Sequence, residues 1–427
     1  MSASPSQLNP YASDAYRRYV LVLLTLSYAV NFIDRQLISI LQESIKLDLG
    51  LSDTQLGLLS GFAFAMFYVT AGIPLARWSD RGNRRNIVTY AIGTWSLMTA
   101  LCGAATSYLH LLLARIGVGI GESGGTPPAH SMISDIYPEE KRGTAMAIYS
   151  VGINIGIMFG FLFGGLINEY LGWRWAFAIV GLPGLLLAIL IRRTVAEPTR
   201  TVTPHVGQHD ALSDVIALIP RSPVIRQFFL AVAIFSIGGY GAINWLGTYF
   251  IRGHELGSAT VGTWLSLSIG VVGAIGTYTT GLLADKWGQH NRAWYMWIPA
   301  LAAAVMVPFY GFIFTTDNTQ WALWLNLIPS LFLAVYIGPG VAVLHSNVGA
   351  HQRATISALF YFVINIVGLG LGPTIIGAIS DALSGSLGRD SIGQAMLYVI
   401  PTAFAWASLH FFLAGRALTR QAGNTAS

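Results

Sequence analysis

Four charged side chains stand where charges are expensive. Asp34 and Arg35 fall in the apolar run 19–43, and Arg115 and Glu122 fall in another, 108–132. Placing one such group at the centre of a membrane-length segment costs about 3 kcal/mol or more, so it is retained where it binds a proton, an ion or a substrate. Arg115 and Glu122 are seven residues apart, which sets them on nearly one helix face, about 10 Å apart along the axis. A carboxylate in such a place is pulled two ways: desolvation favours its protonated form, and a nearby guanidinium favours its anion. A group balanced between the two changes protonation when its surroundings open to water, which couples proton binding to a conformational change. The plainer alternative is a static buried network of ion pairs that holds helices together. Arginines at this depth also suit the capture of a substrate anion through paired hydrogen bonds.

Other polar side chains in apolar runs are candidates for lining a cavity: Ser123, Tyr240, Asn244, Trp245, His345, Tyr361 and Asn365. Each serves equally well as ordinary packing. Asp135, near the end of its run, is expected outside this set. No His/Cys/Asp cluster has metal-ligand spacing, so no metal is expected. Gly117, Gly119 and Gly121 have the look of a nucleotide loop but follow no strand, and no phosphate-loop lysine motif is present. No nucleophile and base stand together, so neither enzyme chemistry nor a cofactor is expected.

The elements that position these residues follow from composition. Only 10% of the 427 residues are charged, 54% are hydrophobic, and the mean hydropathy is +0.58. A water-soluble fold of this length cannot hide so much apolar surface. The 47 glycines suit membrane helices that approach closely or bend, and the single cysteine, Cys102, excludes an intramolecular disulfide. A hydrocarbon layer of about 30 Å takes about 20 helical residues. Runs of that kind lie near 19–43, 54–76, 86–106, 108–132, 143–168, 173–192, 225–251, 260–284, 293–315, 320–346, 354–381 and 393–416. Twelve spans are therefore expected. Arg17 and Arg18 precede a first run too long for the core of a signal peptide, so that run is expected to stay in the mature protein.

Basic residues test the count. With the N-terminus in the cytoplasm, 18 of the 24 Lys and Arg fall in cytoplasmic segments, 4 on the opposite side (Lys46, Arg174, Arg252 and Arg389) and 2 inside spans. Such alternation predicts both termini in the cytoplasm, and it reads the formal charge of +5 as a topology signal rather than a nucleic-acid surface. The stretch 193–224 is the one long connection, ending in a short amphipathic segment from Asp210 to Pro220. Expected domains are thus 1–192, a linker 193–224, and 225–427.

The halves repeat a loop. Gly72-Ile-Pro-Leu-Ala-Arg-Trp-Ser-Asp80-Arg81-Gly-Asn-Arg84-Arg85 follows the second run, and Gly281-Leu-Leu-Ala-Asp285-Lys286-Trp-Gly follows the eighth. This pair resembles the cytoplasmic loop signature of the major facilitator superfamily and its echo in the second half. The resemblance implies an all-α polytopic membrane protein with twelve helices in two pseudo-symmetric six-helix bundles. It also assigns Asp80, Arg81, Arg84, Arg85, Arg142, Asp285 and Lys286 to conformational gating. The first copy departs from the tightest form of the signature by extra residues between Gly72 and Asp80. Gly152, Gly156, Gly160 and Gly164 recur every fourth residue in the fifth run, a smooth stripe for close packing. The stripe is similar to the glycine motif of the superfamily's antiporters but lacks its Gly-Pro.

Within the superfamily, Asn31-Phe-Ile-Asp34-Arg35 resembles the spinster-type lipid transporters, as does Arg115-Ile-Gly-Val-Gly-Ile-Gly-Glu122-Ser123 with the following Pro127-Pro128-Ala129 and Ser134-Asp135. That resemblance covers the first 190 residues or so; beyond them the likeness is at superfamily level. It implies a proton-coupled carrier of lysophospholipid- or sphingosine-1-phosphate-like amphiphiles. Asp34 and Glu122 would be the coupling acids, with Arg35 and Arg115 their partners or the headgroup clamps. The expected setting is the inner membrane of a bacterium, with protons, substrate and lipid as partners, no nucleic acid, and a monomer. The alternatives are a carrier of small organic anions or drugs, a facilitator without ion coupling, or a membrane receptor with no transport.

Overall fold

The computed structural model describes residues 10–200 and 212–426, and these are helical almost throughout. Local sequence sets the helix ends. Ser13 caps α1 (Asp14–Leu49), and Gly50 ends it in the left-handed region at φ 64°. A capping box between Ser52 and Gln55 starts α2 (Asp53–Arg81). Then come α3 (Arg84–Cys102) and α4, whose pieces Tyr108–Ser123 and Thr126–Ile136 are separated at Gly124-Gly125. The first bundle ends with α5 (Glu139–Leu171) and α6 (Trp173–Thr194).

A linker helix, Leu212–Arg221, precedes the second bundle and buries Val215. The expected amphipathic segment is therefore helical from Leu212, while Asp210 and Ala211 lie outside the described residues. The second bundle comprises α7 (Pro223–Gly253), α8 (Ser258–Gly288), α9 (Trp294–Ile313), the interrupted α10 (Thr319–Leu325, Leu327–Ser330 and Ile337–Ser346), α11 (353–387) and α12 (Ser391–Ala426).

Eight described stretches are long and apolar enough to cross a membrane on length and composition, fewer than the twelve runs expected. The difference has local causes. The stretch Arg353–Gln421 holds both α11 and α12, divided by a 3-10 turn at Gly388–Asp390. Breaks shorten α4 and α10, and α3 carries two arginines and several polar residues in its 19.

The stripe on α5 seats α1. A methyl group on Gly152 would meet the Thr25 carbonyl at 2.7 Å, and one on Gly160 would meet the Gln36 side chain at 2.8 Å. Only glycine permits this approach, and it fixes the helix that carries Asp34 and Arg35. Three helices contain π-helical turns: Leu58–Phe62 in α2, Ser266–Val272 in α8 and Ile364–Leu371 in α11. Those in α2 and α11 meet face to face: a methyl group on Gly61 would come within 2.8 Å of the carbonyls of Leu369 and Gly370. π-turns widen a helix locally and recur at working sites.

The bundles touch over one half of their length. Gly57 lies against Pro373, Gly270 against Met158, and Ser258 donates to the Gly165 carbonyl at 3.0 Å. Among the described residues, no hydrogen bond or ion pair joins the two bundles at the end where the basic loops cluster. The contacts that join the bundles among the described residues are concentrated at the end opposite the basic loops.

Candidate functional site

Helices α1, α2 and α4 bring the four membrane charges together near mid-span. Arg35 Nε donates to Glu122 Oε2 at 2.6 Å. Glu122, Arg115 and Asp34 are each no more than 1% exposed, and the Arg35 side chain is 15% exposed. Aromatic faces hold the guanidiniums. Arg35 lies over the rings of Tyr68 at 4.7 Å, Phe32 at 5.0 Å and Phe64 at 5.2 Å. Arg115 lies over Phe64 at 5.0 Å, so two cations share one ring.

The pairing is incomplete. Asp34 forms no ion pair among the described residues; its Oδ2 accepts from Thr99 Oγ1 at 3.0 Å. Asp34 Oδ1, Glu122 Oε1, and Nε and Nη1 of Arg115 are buried with no hydrogen-bond partner in the protein. Four charges that sum to zero thus sit in a low-dielectric place with bonding capacity to spare. Buried polar groups are nearly always satisfied, so this concentration of exceptions singles the cluster out as the candidate site.

The remaining expected residues separate into three groups. Tyr240 lies within electrostatic reach of Arg35, as do Tyr28 and Tyr68, and Tyr361 lies within reach of Tyr28 and Tyr240. Tyr240 thus brings a residue of the second bundle into the electrostatic neighbourhood of Arg35. Ser123 returns its hydroxyl to the Ile120 carbonyl, Trp245 donates to the Pro373 carbonyl at 2.9 Å, and His345 pairs with Ser357 at 2.7 Å. Asn365 donates to the Tyr361 carbonyl one turn back.

Asn244 belongs to a network between the bundles. It accepts from Gln42 at 2.7 Å and Ser60 at 3.0 Å and donates to Ser39 at 3.2 Å. Beyond it lies a latch on which sequence reasoning was silent. Arg252 of α7 donates to Glu43 at 2.7 Å and to both oxygens of Asp53, at 2.7 and 2.8 Å. Asp53 also accepts from Lys46 at 2.6 Å and Ser380 at 2.6 Å. Asp381 of α11 completes it by accepting the backbone N–H groups of Asp53 at 2.9 Å and Thr54 at 2.7 Å, a cap on α2 supplied by the other bundle. The signal was present: Lys46 and Arg252 are two of only four cations on their side.

The loop residues are apart in this state. Arg84 is buried, pairs with Asp135 and Glu197, and donates to the Pro198 carbonyl at 2.7 Å; the Arg85 amide donates to Glu197 at 2.8 Å. Both tie the chain after α6 to α3. Asp80, Arg81 and Lys286 are exposed, Asp285 accepts from Tyr295 at 3.1 Å, and Arg142 Nε is buried without a partner.

Comparison with known proteins places this architecture. Residues 24–373 match the family model of the Major Facilitator Superfamily. An MFS-type efflux pump of Mycolicibacterium smegmatis is 31% identical over 396 residues, covering 92% of this chain and 91% of that protein. The sphingosine-1-phosphate transporter SPNS2 of Danio rerio is 27% identical, over 87% of this chain and 78% of its own. Among solved structures, a bacterial homologue of the human lysosomal transporter Spinster, in an inward-facing and unoccupied conformation, superposes with a TM-score of 0.83 at 30% identity, covering 96% of this chain and 98% of that one. The chain belongs to the Major Facilitator Superfamily, as an integral membrane transporter with a Spinster-like fold and not an enzyme.

Proposed function

We propose that this protein is a proton-coupled carrier of an amphiphilic anion of the lysophospholipid or sphingosine-1-phosphate type, working by alternating access. The observation that carries the reading is the single 2.6 Å pair between Arg35 and Glu122, set among unsatisfied buried atoms. A substrate phosphate or carboxylate competes with Glu122 for Arg35. When Glu122 takes a proton it gives up its charge, and Arg35 is released to an incoming anion. When Glu122 ionises again it reclaims Arg35 and expels the anion. Proton and substrate are thereby linked through one guanidinium, which always has one anion to pair with. Phe32, Phe64, Tyr68 and Tyr240 supply walls for an apolar tail beside the charged head.

In this reading the basic-rich end is cytoplasmic, the membrane is the inner membrane of a bacterium, and the working unit is a monomer. The latch around Arg252 closes the outer side while the inner side is open. Asp80, Arg81, Asp285 and Lys286 would act when the basic-rich end closes, which is why they make no contact across the bundles here.

A second reading, export of drugs or small organic anions without a lipid tail, is favoured by the likeness to the efflux pump. A panel in proteoliposomes under an imposed pH gradient separates the two. Gradient-driven flux of a lysophospholipid or sphingoid phosphate, with none of a cationic dye or small organic acid, supports the lipid reading; the reverse order of substrates overturns it.

A further inference from the structure

On the outer face of the second bundle, remote from the charge cluster, α9 and α12 enclose a groove of about 490 Å³. Its walls are Trp294, Trp297 and Leu301 from α9 and Leu409 and Phe412 from α12, and its floor includes Ala304. From Trp294 to Ala304 the groove runs ten residues, about 15 Å of helix, the depth of one leaflet's hydrocarbon. One acyl chain fits that length.

The end of the groove is built differently from its floor. Trp297 stacks on Phe412 with ring centroids 6.4 Å apart, Trp294 meets Trp297 edge-on at 5.5 Å, and Trp287 lies tilted against Trp294 at 4.9 Å. Chained indoles of this kind sit at the depth of lipid headgroups. Along α12, Phe412, Arg416 and Arg420 follow at four-residue steps and share one exposed face. Neither arginine makes an ion pair among the described residues. Two uncommitted cations therefore stand one and two turns beyond the groove's aromatic rim, at the basic-rich end.

We propose that this groove is a binding site for an anionic phospholipid of the leaflet on the basic-rich side, one acyl chain lying between α9 and α12 and the headgroup phosphate on Arg416 and Arg420. The occupant is a bilayer lipid because the groove opens outward from the bundle at membrane depth. It is an anionic one because the polar end offers two guanidiniums and no carboxylate on that stripe. The site is separate from the transport cluster and stands whether or not the transported substrate is a lipid.

Native mass spectrometry of the detergent-purified protein, with phosphatidylglycerol or phosphatidylcholine added, tests it. The wild type should retain phosphatidylglycerol about tenfold better than phosphatidylcholine. The double variant Arg416→Gln, Arg420→Gln should lose that preference, and Ala304→Trp, which fills the groove from an exposed position, should reduce retention of both lipids. Thermal unfolding without added lipid confirms that each variant is folded. Equal retention of the two lipids by the wild type, or an undiminished preference in the double variant, overturns the proposal. A dimer that Ala304→Trp dissociates also overturns it, assigning the groove to a second copy of the chain.

Discussion

The mid-membrane cluster and the latch at the far end are both made of buried charges, yet they are finished to different degrees. At the latch, Arg252, Glu43, Lys46 and Asp53 are joined by short hydrogen bonds, and Asp381 adds a cap from the second bundle. At the cluster, one ion pair serves four charges, and oxygen and nitrogen atoms of Asp34, Glu122 and Arg115 are left without partners. The first network has its hydrogen-bonding capacity filled; the second has capacity to spare. The latch also spans two bundles, whereas the cluster lies in one. Changes at the latch should therefore move the balance between conformations, and changes at the cluster should move coupling and substrate binding.

The largest expected effect is at the latch. Arg252→Ala leaves Asp53 and Glu43 without their main cation, a loss of about 3–5 kcal/mol from the contact between the bundles at that end. That is a shift of more than about a hundredfold toward opening there. Spin labels at Leu47 and Leu387, both exposed, with Cys102 replaced by serine, report the distance. A longer distance population should appear in the variant. An unchanged distribution would show that apolar packing alone keeps this end shut.

Packing comes next. Gly160→Leu forces a side chain into α1 and should lower thermal stability by about 1–3 kcal/mol, while Gly143→Ala, which meets open space, should be neutral. If both are neutral, α5 does not set the position of α1. The smallest static effect belongs to the loop. Asp80→Asn should change stability by less than about 0.5 kcal/mol, because Asp80 is exposed and pairs with nothing across the bundles. Transport should nevertheless slow if the loop acts, as proposed, in closing the basic-rich end. Normal turnover would remove the loop from the gating account.

Legibility in the sequence followed physical rules with a local period. Spans were readable because lipid demands continuous apolar runs, and Asp34, Arg35, Arg115 and Glu122 because they violate those runs. The glycine spacing on α5 announced a close partner without naming α1. What was not readable depends on the approach of distant segments. Thr99 holds Asp34 from 65 residues away. Asn244, expected to line a cavity, is occupied by Gln42, Ser60 and Ser39 from the other bundle. Arg84 and Arg85 read as gating residues from their loop, yet both bind Glu197 in the chain after α6, more than 100 residues on, and Arg84 also pairs with Asp135 of α4. Nothing in a helical period encodes those meetings. The break in α4 is written in Gly124-Gly125 and Pro127-Pro128, though the run reads through it, whereas the break in α10 lies in a run that stays apolar.

The central claim is that Glu122 and the substrate share Arg35. Its most direct test is lysophospholipid flux into proteoliposomes with and without a pH gradient, for the wild type and Glu122→Gln. The account predicts that the gradient accelerates wild-type flux and that Glu122→Gln reduces this acceleration by about 10- to 100-fold while still binding lysophospholipid. Equal response to the gradient in the variant and the wild type would contradict it and return Glu122 to a purely structural ion pair.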